Sequence, residues 1–246
     1  MQMIETTING RWELLLPLHR AARPEWKTGW EVKRLDSMHK NIKPGDTVID
    51  VGVEEGDISA LIAQWTGPTG KMFMVEPNKK VVPNTKAIFE ANNITTPQRW
   101  FVGFAGSKTN DIPRHPMKDG WPECAYGPVI GNHGFKNISE EGDTLPMTTL
   151  DDWMQEDGKR ISVDVVTMDV EGGEFEVLKG MNTILQVFKP LVWTSIHREF
   201  LFHQYGQYAN ELKRYMTDRG YVPHFLEWNH EEHFLWAHPD GRKPIF

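Results

Sequence analysis

The stretch Thr47-Val-Ile-Asp-Val-Gly-Val-Glu-Glu-Gly-Asp-Ile-Ser59 decides the fold. Its first five residues are mostly β-branched and apolar, which predicts a short buried strand. Gly52 and Gly56 follow as a turn, and Asp57 or Ser59 is the expected N-cap of the apolar helix after it. A strand, a glycine turn and a helix form the first unit of an open α/β sheet, in which ligands bind beyond the carboxyl ends of the strands. Because glycine has no Cβ to block a ligand, we expect this turn to line a nucleotide-type pocket.

The charge of the glycine turn discriminates between nucleotide ligands. Gly52-x-x-x-Gly56 lacks the G-x-G-x-x-G spacing of dinucleotide-binding turns. Glu54, Glu55 and Asp57 lie where a dinucleotide would place its pyrophosphate, against the helix N-terminus. At ~4–8 Å and an effective dielectric near ~20, each carboxylate would repel a phosphate by about 1 kcal/mol or more. S-adenosylmethionine (SAM), which has a sulfonium, an ammonium and no phosphate, is therefore the predicted cofactor, provided that Glu54 and Glu55 face the ligand rather than solvent.

The composition of the chain is that of a soluble globular protein. Its 246 residues are 39% hydrophobic and 25% charged, enough for one domain with a full core. No apolar run reaches the ~20 residues of a membrane span, and the N-terminus lacks the features of a signal peptide. The single cysteine, Cys124, excludes an internal disulfide, so a cytoplasmic location is expected. The net charge of −7 argues against a nucleic-acid partner, and Lys33-Arg34 is expected to be a solvated face.

Predicted strands and helices alternate along the chain and close with a β-hairpin. The predicted strands are residues 47–51, 71–75, 98–104, 162–168, 190–196, 221–228 and 233–237. The predicted helices are residues 27–41, 58–65, 78–92, 148–153, 174–187 and 205–219. This order predicts an α/β fold with a doubly wound, mostly parallel, seven-stranded sheet whose last strand inserts antiparallel within a C-terminal hairpin. Residues 1–45 are expected to form an N-terminal arm with a short hairpin and a lead-in helix, and residues 46–246 the main domain.

Polar and small residues that follow successive strands form the predicted cofactor site. Glu76 ends the second strand roughly 20 residues beyond the glycine turn, the place from which a carboxylate binds both ribose hydroxyls. The alternative is a carboxylate that stabilises the start of the next helix through its dipole. Ala105-Gly106 follows the third strand, where an adenine ring could lie on the backbone. The predicted cofactor-binding residues are Asp50, Gly52, Gly56, Glu76, Asn78, Ala105 and Gly106.

The periodic pattern disappears between residues 108 and 146. Prolines, glycines and aromatic side chains, among them Trp121 and Tyr126, fill this segment. A connection of this length is unusual within a compact domain, and such segments often serve as lids or binding loops. We therefore predict a substrate lid over 108–146, with a flexible connection as the alternative.

Several short motifs together resemble one family of enzymes. They are Asp50-Val-Gly-x-x-x-Gly56, Glu76-Pro-Asn78, Ala105-Gly-Ser107, Thr149-Leu-Asp151 and Asp169-Val-Glu-Gly-x-Glu174. Over residues 46–221 the chain resembles the FkbM family of SAM-dependent methyltransferases, and the motif after the fourth strand is the most specific part. The resemblance implies a class I methyltransferase fold and O-methylation of a hydroxyl on a sugar or secondary metabolite.

The chain departs from the pattern of this family at three places. Family members often have a small residue and Asn where this chain has Val53-Glu-Glu55, a difference that bears on cofactor affinity. They often have Lys at the position of Met168 and Glu at the position of Ser195, differences that bear on substrate chemistry. Residues 108–146 share no usable pattern with the family, so the resemblance does not identify the acceptor.

Candidate catalytic side chains follow the fourth and fifth strands. Methyl transfer to a hydroxyl needs an aligned acceptor and a group that takes up the proton. His197 is the predicted general base because histidine titrates near neutral pH, and Asp169 and Glu171 are the other candidates. One alternative is a histidine bonded to backbone; another is a divalent metal such as Mg²⁺ on Asp169, Glu171 and His197. Glu174 and Glu176 are expected to cap and solvate the following helix.

Three functions are compatible with these features. The first is a SAM-dependent O-methyltransferase that acts on a glycan or sugar-bearing small molecule. The second is an NAD(P)-dependent oxidoreductase, which needs a phosphate-binding turn and usually a second catalytic domain. The third is a non-catalytic α/β module that has kept the fold. The sequence favours the first and makes no prediction of the oligomeric state.

Overall fold

The computed structural model describes residues 2–112, 117–118, 121–122 and 145–246, so most of the predicted lid lies outside the described residues. The strands are β1 Met3–Ile8, β2 Trp12–Pro17, β3 Thr47–Val51, β4 Lys71–Glu76, β5 Gln98–Val102, β6 Phe104–Ala105, β7 Asn110–Ile112, β8 Met117–Lys118, β9 Trp121–Pro122, β10 Leu145–Thr148, β11 Gln155–Glu156, β12 Lys159–Arg160, β13 Val165–Met168, β14 Leu191–Ile196, β15 Val222–Asn229 and β16 Glu231–Ala237. The helices are α1 Leu18–Ala21, α2 Glu25–Thr28, α3 Val32–Asn41, α4 Asp57–Thr66, α5 Val81–Ala91, α6 Leu150–Trp153, α7 Glu174–Lys179, α8 Asn182–Val187, α9 Arg198–Tyr205 and α10 Ala209–Thr217. Within the described ranges, none of these helices combines the length and apolar character needed to cross a membrane.

A seven-stranded sheet of order β15-β16-β14-β13-β3-β4-β5 forms the centre of the molecule. The five strands from β14 to β5 run parallel, and β16 lies antiparallel between β14 and β15. This confirms the predicted doubly wound sheet, including the antiparallel insertion of the last strand. The chain builds outward from β3 in one direction and then from β13 in the other. The crevice beyond the carboxyl ends of β3 and β13 is therefore the switch point at which such sheets bind ligands.

Both faces of the sheet are buried against helices, which gives two hydrophobic clusters. Along β3, Val48 belongs to the cluster that includes residues of α3, α4 and α5, and its neighbour Ile49 to the cluster that includes residues of α7, α8 and α10. Successive side chains of a strand point to opposite faces, so an apolar run without alternation is needed here. The predicted N-terminal hairpin is present as β1 and β2, and its Leu14 and Leu16 are part of the first cluster. The hairpin thus forms part of the core.

The predicted helix limits are wrong wherever glycine or a left-handed residue breaks the chain. The helix predicted over 27–41 starts at Val32, because Gly29 and Glu31 have φ of +106° and +43°. The helix predicted over 174–187 is divided into α7 and α8 at Gly180, where a Cβ would lie 1.9 Å from the carbonyl oxygen of Gly106. Helix α9 was not predicted, and Gly206 (φ +64°) separates it from α10.

The third predicted strand is also shorter than expected. β5 ends at Val102, and the next two residues form β6, which pairs with β10 in a separate three-stranded sheet. Gly103 lies at this break, and a Cβ on it would lie 2.3 Å from the carbonyl oxygen of Pro146. Close backbone packing therefore moves the chain out of the main sheet just before Ala105 and Gly106.

Candidate functional site

The two glycines of the turn after β3 are required by close contacts within the protein. Gly52 and Gly56 have φ of +85° and +87°, a conformation that residues with a Cβ rarely adopt. A Cβ on Gly52 would lie 1.9 Å from the carbonyl oxygen of Asp169, at the end of β13. A Cβ on Gly56 would lie 2.3 Å from Oγ1 of Thr85 in α5. The turn thus packs directly against the elements on either side of it.

The N-cap of α4 is Gly56, not Asp57 or Ser59 as the sequence predicts. Asp57 is the first residue of the helix and accepts a hydrogen bond of 2.6 Å from Nε of Arg20. Ser59 donates its hydroxyl to the carboxylate of Asp50. Burial raises the pKa of Asp50 to about 6. Both expected caps therefore serve to hold other buried side chains in place.

Arg20, from the N-terminal arm, compensates most of the negative charge at the glycine turn. Its guanidinium lies 3.1 Å from Glu54 and 2.6 Å from Asp57. The third carboxylate, that of Glu55, lies 3.6 Å from Nε2 of His19. The repulsion of phosphate expected at this turn is therefore largely cancelled locally, because two of its three carboxylates already have a cationic partner. Arg20 could not be predicted as a partner from the sequence of the turn, because it lies 37 residues before Asp57.

Glu76 holds the glycine turn against the end of β4. Its Oε2 accepts hydrogen bonds of 3.2 Å from the backbone N–H groups of Val53 and Glu54, and its Oε1 accepts one of 2.8 Å from Asn78. Burial raises the pKa of Glu76 to about 7. The side-chain oxygen of Asn78 in turn accepts a hydrogen bond of 3.1 Å from the backbone of Lys80. Glu76 therefore has a structural role in the turn.

A cavity of about 500 Å³ lies beyond the carboxyl ends of β3, β4 and β13, a size typical of small-molecule sites. The predicted site residues that line it are Asp50, Gly52, Glu76, Ala105, Gly106, Asp169, Glu171 and His197. The two other predicted residues, Gly56 and Asn78, are not among the described residues that line the cavity. Its carboxylates are Glu31, Asp50, Glu54, Glu76, Asp169, Glu171, Glu176 and Glu231. Against these eight acidic groups stand two arginines, Arg23 and Arg34, so the cavity as a whole favours a cationic ligand.

His197, the N-terminal neighbour of α9, is surrounded by carboxylates. Its Nδ1 lies 2.7 Å from Oε1 of Glu174, and its Nε2 lies 3.7 Å from Asp169 and 3.5 Å from Glu171. Although burial lowers the pKa of His197, the hydrogen bond and charge of Glu174, with the charges of Asp169 and Glu171, raise it well above the ordinary value. The imidazole is therefore cationic at neutral pH when no ligand is bound. Glu174 is fully buried, so it does not solvate α7 as expected; its Oε1 also accepts a hydrogen bond of 3.0 Å from the backbone N–H of Gly172, just before the helix. Glu176 does not solvate the helix either, because its carboxylate accepts hydrogen bonds from the side chains of Ser107 and Gln207.

Arg34 is the site residue that sequence analysis missed. It is buried rather than solvated, it pairs with Glu31, and its Nη1 lies 3.1 Å from Asp169. Although burial raises the pKa of Asp169, the charges of Arg34 and His197 lower it overall, so this carboxylate stays ionised. A signal was present, because Arg34 is four residues before buried Met38 and therefore shares its helix face.

Four residues of the cavity wall have a backbone conformation that is unusual for residues with side chains. Glu31, Glu54, Glu171 and His230 have φ of 43°, 55°, 50° and 53°, respectively. Left-handed conformations at residues other than glycine cost of order 1–3 kcal/mol each and are frequent at functional sites. Three of the four are acidic, so this strain contributes to the placement of negative charge around the cavity.

The fold and the cavity together define an α/β protein with an acidic cavity at the switch point of its sheet. The family model "Methyltransferase FkbM domain" matches residues 50–223. The chain belongs to this family, which confirms the resemblance seen in the sequence. Its fold is the α/β fold of the class I methyltransferases. No curated protein sequence matches the chain.

Solved structures of methyltransferases are similar to this chain in fold. The crystal structure of methyltransferase FkbM from Methylobacillus flagellatus KT has 15% identity and a TM-score of 0.51, over 78% of this chain and 44% of that one. The chain thus spans less than half of the length of that protein. A SAM-dependent O-methyltransferase from Thermotoga maritima has 12% identity and a TM-score of 0.47, over 86% of this chain and 66% of that one. A precorrin-6y C5,15-methyltransferase from Geobacter metallireducens GS-15 has 10% identity and a TM-score of 0.48, over 91% of this chain and 92% of that one.

Proposed function

We propose that this methyltransferase modifies a hydroxyl oxygen of a sugar, a glycan or a related small molecule. The observation that supports this most is the carboxylate–histidine cluster of Asp169, Glu171 and His197 at the ends of β13 and β14. It faces the same cavity as the glycine turn and Glu76. A hydroxyl is a weak nucleophile and loses its proton during the reaction, so it needs a proton acceptor at the reacting oxygen. The cluster can supply one.

The cavity fits SAM in size and in charge. Gly52 offers backbone without a side chain, and Ala105 and Gly106 offer a small surface for the adenine. Each carboxylate oxygen has two lone pairs, so Oε1 of Glu76, with one backbone hydrogen bond, retains the capacity to bind a ribose hydroxyl. When bound, the cofactor supplies an activated methyl group. The wall residues orient it, and their negative charge favours its cationic centres.

His197 is the proposed general base, with Glu174 as the residue that orients it. The hydrogen bond between Nδ1 and Glu174 directs Nε2 toward Asp169 and Glu171, at the cavity. His197 is protonated in the ligand-free protein, so it must lose its proton before it can act. A cationic ligand in the cavity lowers the pKa of a nearby histidine, because like charges disfavour the protonated form. Cofactor binding and activation of the base are thereby coupled.

The other functions and ligands considered from the sequence have less support. The Mg²⁺ alternative at Asp169, Glu171 and His197 is geometrically possible, since their ligand atoms lie within 4.8 Å of one another. An oxidoreductase that binds NAD(P) is disfavoured by the acidic cavity wall, and so is a nucleic-acid acceptor. A non-catalytic module would not need a strained acidic wall around an open cavity.

One experiment with two variants tests the proposal. Glu76→Ala is expected to weaken SAM binding by about 10–100-fold in calorimetry, from the ~1.5–3 kcal/mol of a hydrogen bond to a charged group. His197→Gln is expected to retain SAM binding, or to strengthen it because a like charge is removed, but to lower the release of S-adenosylhomocysteine, with a panel of sugars as acceptors, by about 10²–10⁴-fold. Glu90→Ala and His203→Gln, both at exposed positions, are matched controls. Unchanged turnover in His197→Gln would exclude it as the base, and a lack of SAM binding at millimolar ligand would exclude the whole proposal.

A further inference from the structure

A second cluster of acidic and histidine side chains lies beside the cavity, at the start of β16. Glu31, Glu231 and His233 are all buried, and one potential ligand atom of each lies within 4.8 Å of the others. Glu31 and Glu231 line the cavity, so the cluster is accessible from it. This cluster shares no residue with Asp169, Glu171 and His197, although Oε2 of Glu231 lies 3.9 Å from Nε2 of His197.

Ser195 contacts the ring nitrogen of His233 that faces away from the cluster. Its Oγ lies 3.0 Å from Nδ1 of His233. In the tautomer whose Nδ1 carries the hydrogen, the ring donates to this hydroxyl, and the lone pair of Nε2 points toward Glu231, whose Oε1 lies 3.3 Å away. This is the tautomer that a metal ion on Nε2 requires.

The Nε2 atom of His233 has no hydrogen-bond partner among the described residues, although His233 is 0% exposed. A buried ring nitrogen without a partner is costly. A cation placed between His233, Glu31 and Glu231 would bind all three. Histidines that bind metals usually donate their other ring N–H to a neighbouring oxygen, and Oγ of Ser195 is placed to accept such a bond from His233.

We propose that Glu31, Glu231 and His233 bind one divalent metal ion beside the cavity. One imidazole and two carboxylates suit Mn²⁺, Fe²⁺ or Zn²⁺ better than Mg²⁺. Two ligand atoms that are each ~2.1 Å from one ion lie ~3–4 Å apart, so the side chains need to close by no more than about 1–2 Å. Glu31 also pairs with Arg34, and Glu231 with Nε2 of His230, so the ion would share these two carboxylates with cationic or donor side chains. This site goes beyond the proposed function, because neither SAM nor an acceptor is needed to form it.

Metal titration of the full chain tests the site directly. After removal of metals with EDTA, Mn²⁺ is added and followed by calorimetry and by electron paramagnetic resonance. One ion per chain is expected, with a nitrogen hyperfine coupling from His233. His233→Gln and Glu231→Gln should each weaken binding by at least the ~10–100-fold that loss of an outer-shell partner costs. Failure to bind Mn²⁺ or Zn²⁺ at millimolar concentration would overturn the proposal.

A matched variant distinguishes this site from the neighbouring cluster. Glu171→Gln removes a potential ligand from the set Asp169, Glu171 and His197 and none from the proposed site. It should keep Mn²⁺ affinity within about twofold. The opposite pattern, in which Glu171→Gln loses the ion and His233→Gln keeps it, would assign the ion to the other cluster. If His233→Gln does not fold, as judged by circular dichroism, Glu31→Gln at the cavity wall replaces it in the comparison.

Discussion

Replacement of Arg20 with methionine tests how the N-terminal arm stabilises the glycine turn. Arg20 is 7% exposed, and its Nε and Nη2 atoms each lie 2.6 Å from Oδ2 of Asp57, which is 1% exposed. Its Nη1 also lies 3.1 Å from Glu54, whose side chain is 48% exposed. Arg20→Met keeps much of the apolar length of the side chain but leaves the carboxylate of Asp57 buried without a cation.

The magnitude of the effect follows from the burial of each partner. Removing one partner of a buried ion pair costs ~3–5 kcal/mol, because the remaining charge stays in the protein interior. The half-exposed Glu54 adds about 1 kcal/mol or less, because solvent screens it. We therefore expect Arg20→Met to lower the free energy of unfolding by ~3–5 kcal/mol at neutral pH. In the double variant Arg20→Met/Asp57→Asn, part of this loss should be recovered, since no buried charge remains.

Urea unfolding followed by tryptophan fluorescence measures these differences. Trp26 is a convenient probe because its indole N–H donates a hydrogen bond of 2.7 Å to the carbonyl of Arg20. Arg23→Met is the matched control: Arg23 lies 3.7 Å from Glu54 and is more exposed, so its loss should cost about 1 kcal/mol or less. Equal losses for the two variants, or single-variant effects of Arg20 and Asp57 that simply add, would refute the buried ion pair.

Two further predictions concern the turn and the catalytic cluster. Gly158→Ala, at φ +73° with open space around it, should cost only the ~1–2 kcal/mol of backbone strain in the same urea assay. Gly52→Ala should lower the free energy of unfolding by more than this control, because its Cβ would also lie 1.9 Å from the carbonyl oxygen of Asp169. The second prediction concerns pH. The folded-state pKa of His197 is raised, so its contribution to stability is complete below the ordinary pKa of ~6.5 and is lost as the pH rises through the folded value. Glu174→Gln should flatten this pH dependence of the unfolding free energy, and an unchanged slope would show that Glu174 does not hold the proton on His197.

Local sequence patterns were sufficient to predict the centre of the fold. The strand Thr47–Val51 has the predicted limits, because a short apolar run before a glycine turn has few other solutions. The doubly wound, mostly parallel sheet followed from the alternation of strands and helices, since parallel strands need crossover connections. The contact of Gly52 with Asp169, at the ends of neighbouring strands, also shows why strand ends converge on one site.

The charged partners of the site could not be predicted from local patterns. Arg34 reaches Asp169 across 135 positions of sequence, and Arg20 reaches Asp57 across 37. Charged residues are mostly exposed in proteins, so Lys33-Arg34 was expected to be a solvated face, and Arg20 was not identified at all. Burial of such a residue becomes favourable only when its partner is in place, and that depends on the tertiary structure. Glu174 was misassigned for the same reason, since its partner His197 follows another strand.

The charge argument for the cofactor applies to the cavity rather than to the turn from which it was first drawn. At the turn, Arg20 compensates Glu54 and Asp57, so a phosphate there would meet little repulsion. In the cavity, burial raises the pKa values of several wall carboxyls, to about 7 for Glu76 and about 9 for Glu231. A raised carboxyl pKa means that the protein lacks a cation with which to balance the ionised form. A ligand with a positive centre stabilises the ionised carboxylates, and this interaction favours its binding. A pyrophosphate would instead raise the pKa values of these carboxyls further. Selection for a sulfonium compound is thus a property of the whole wall, distributed over residues from both halves of the chain.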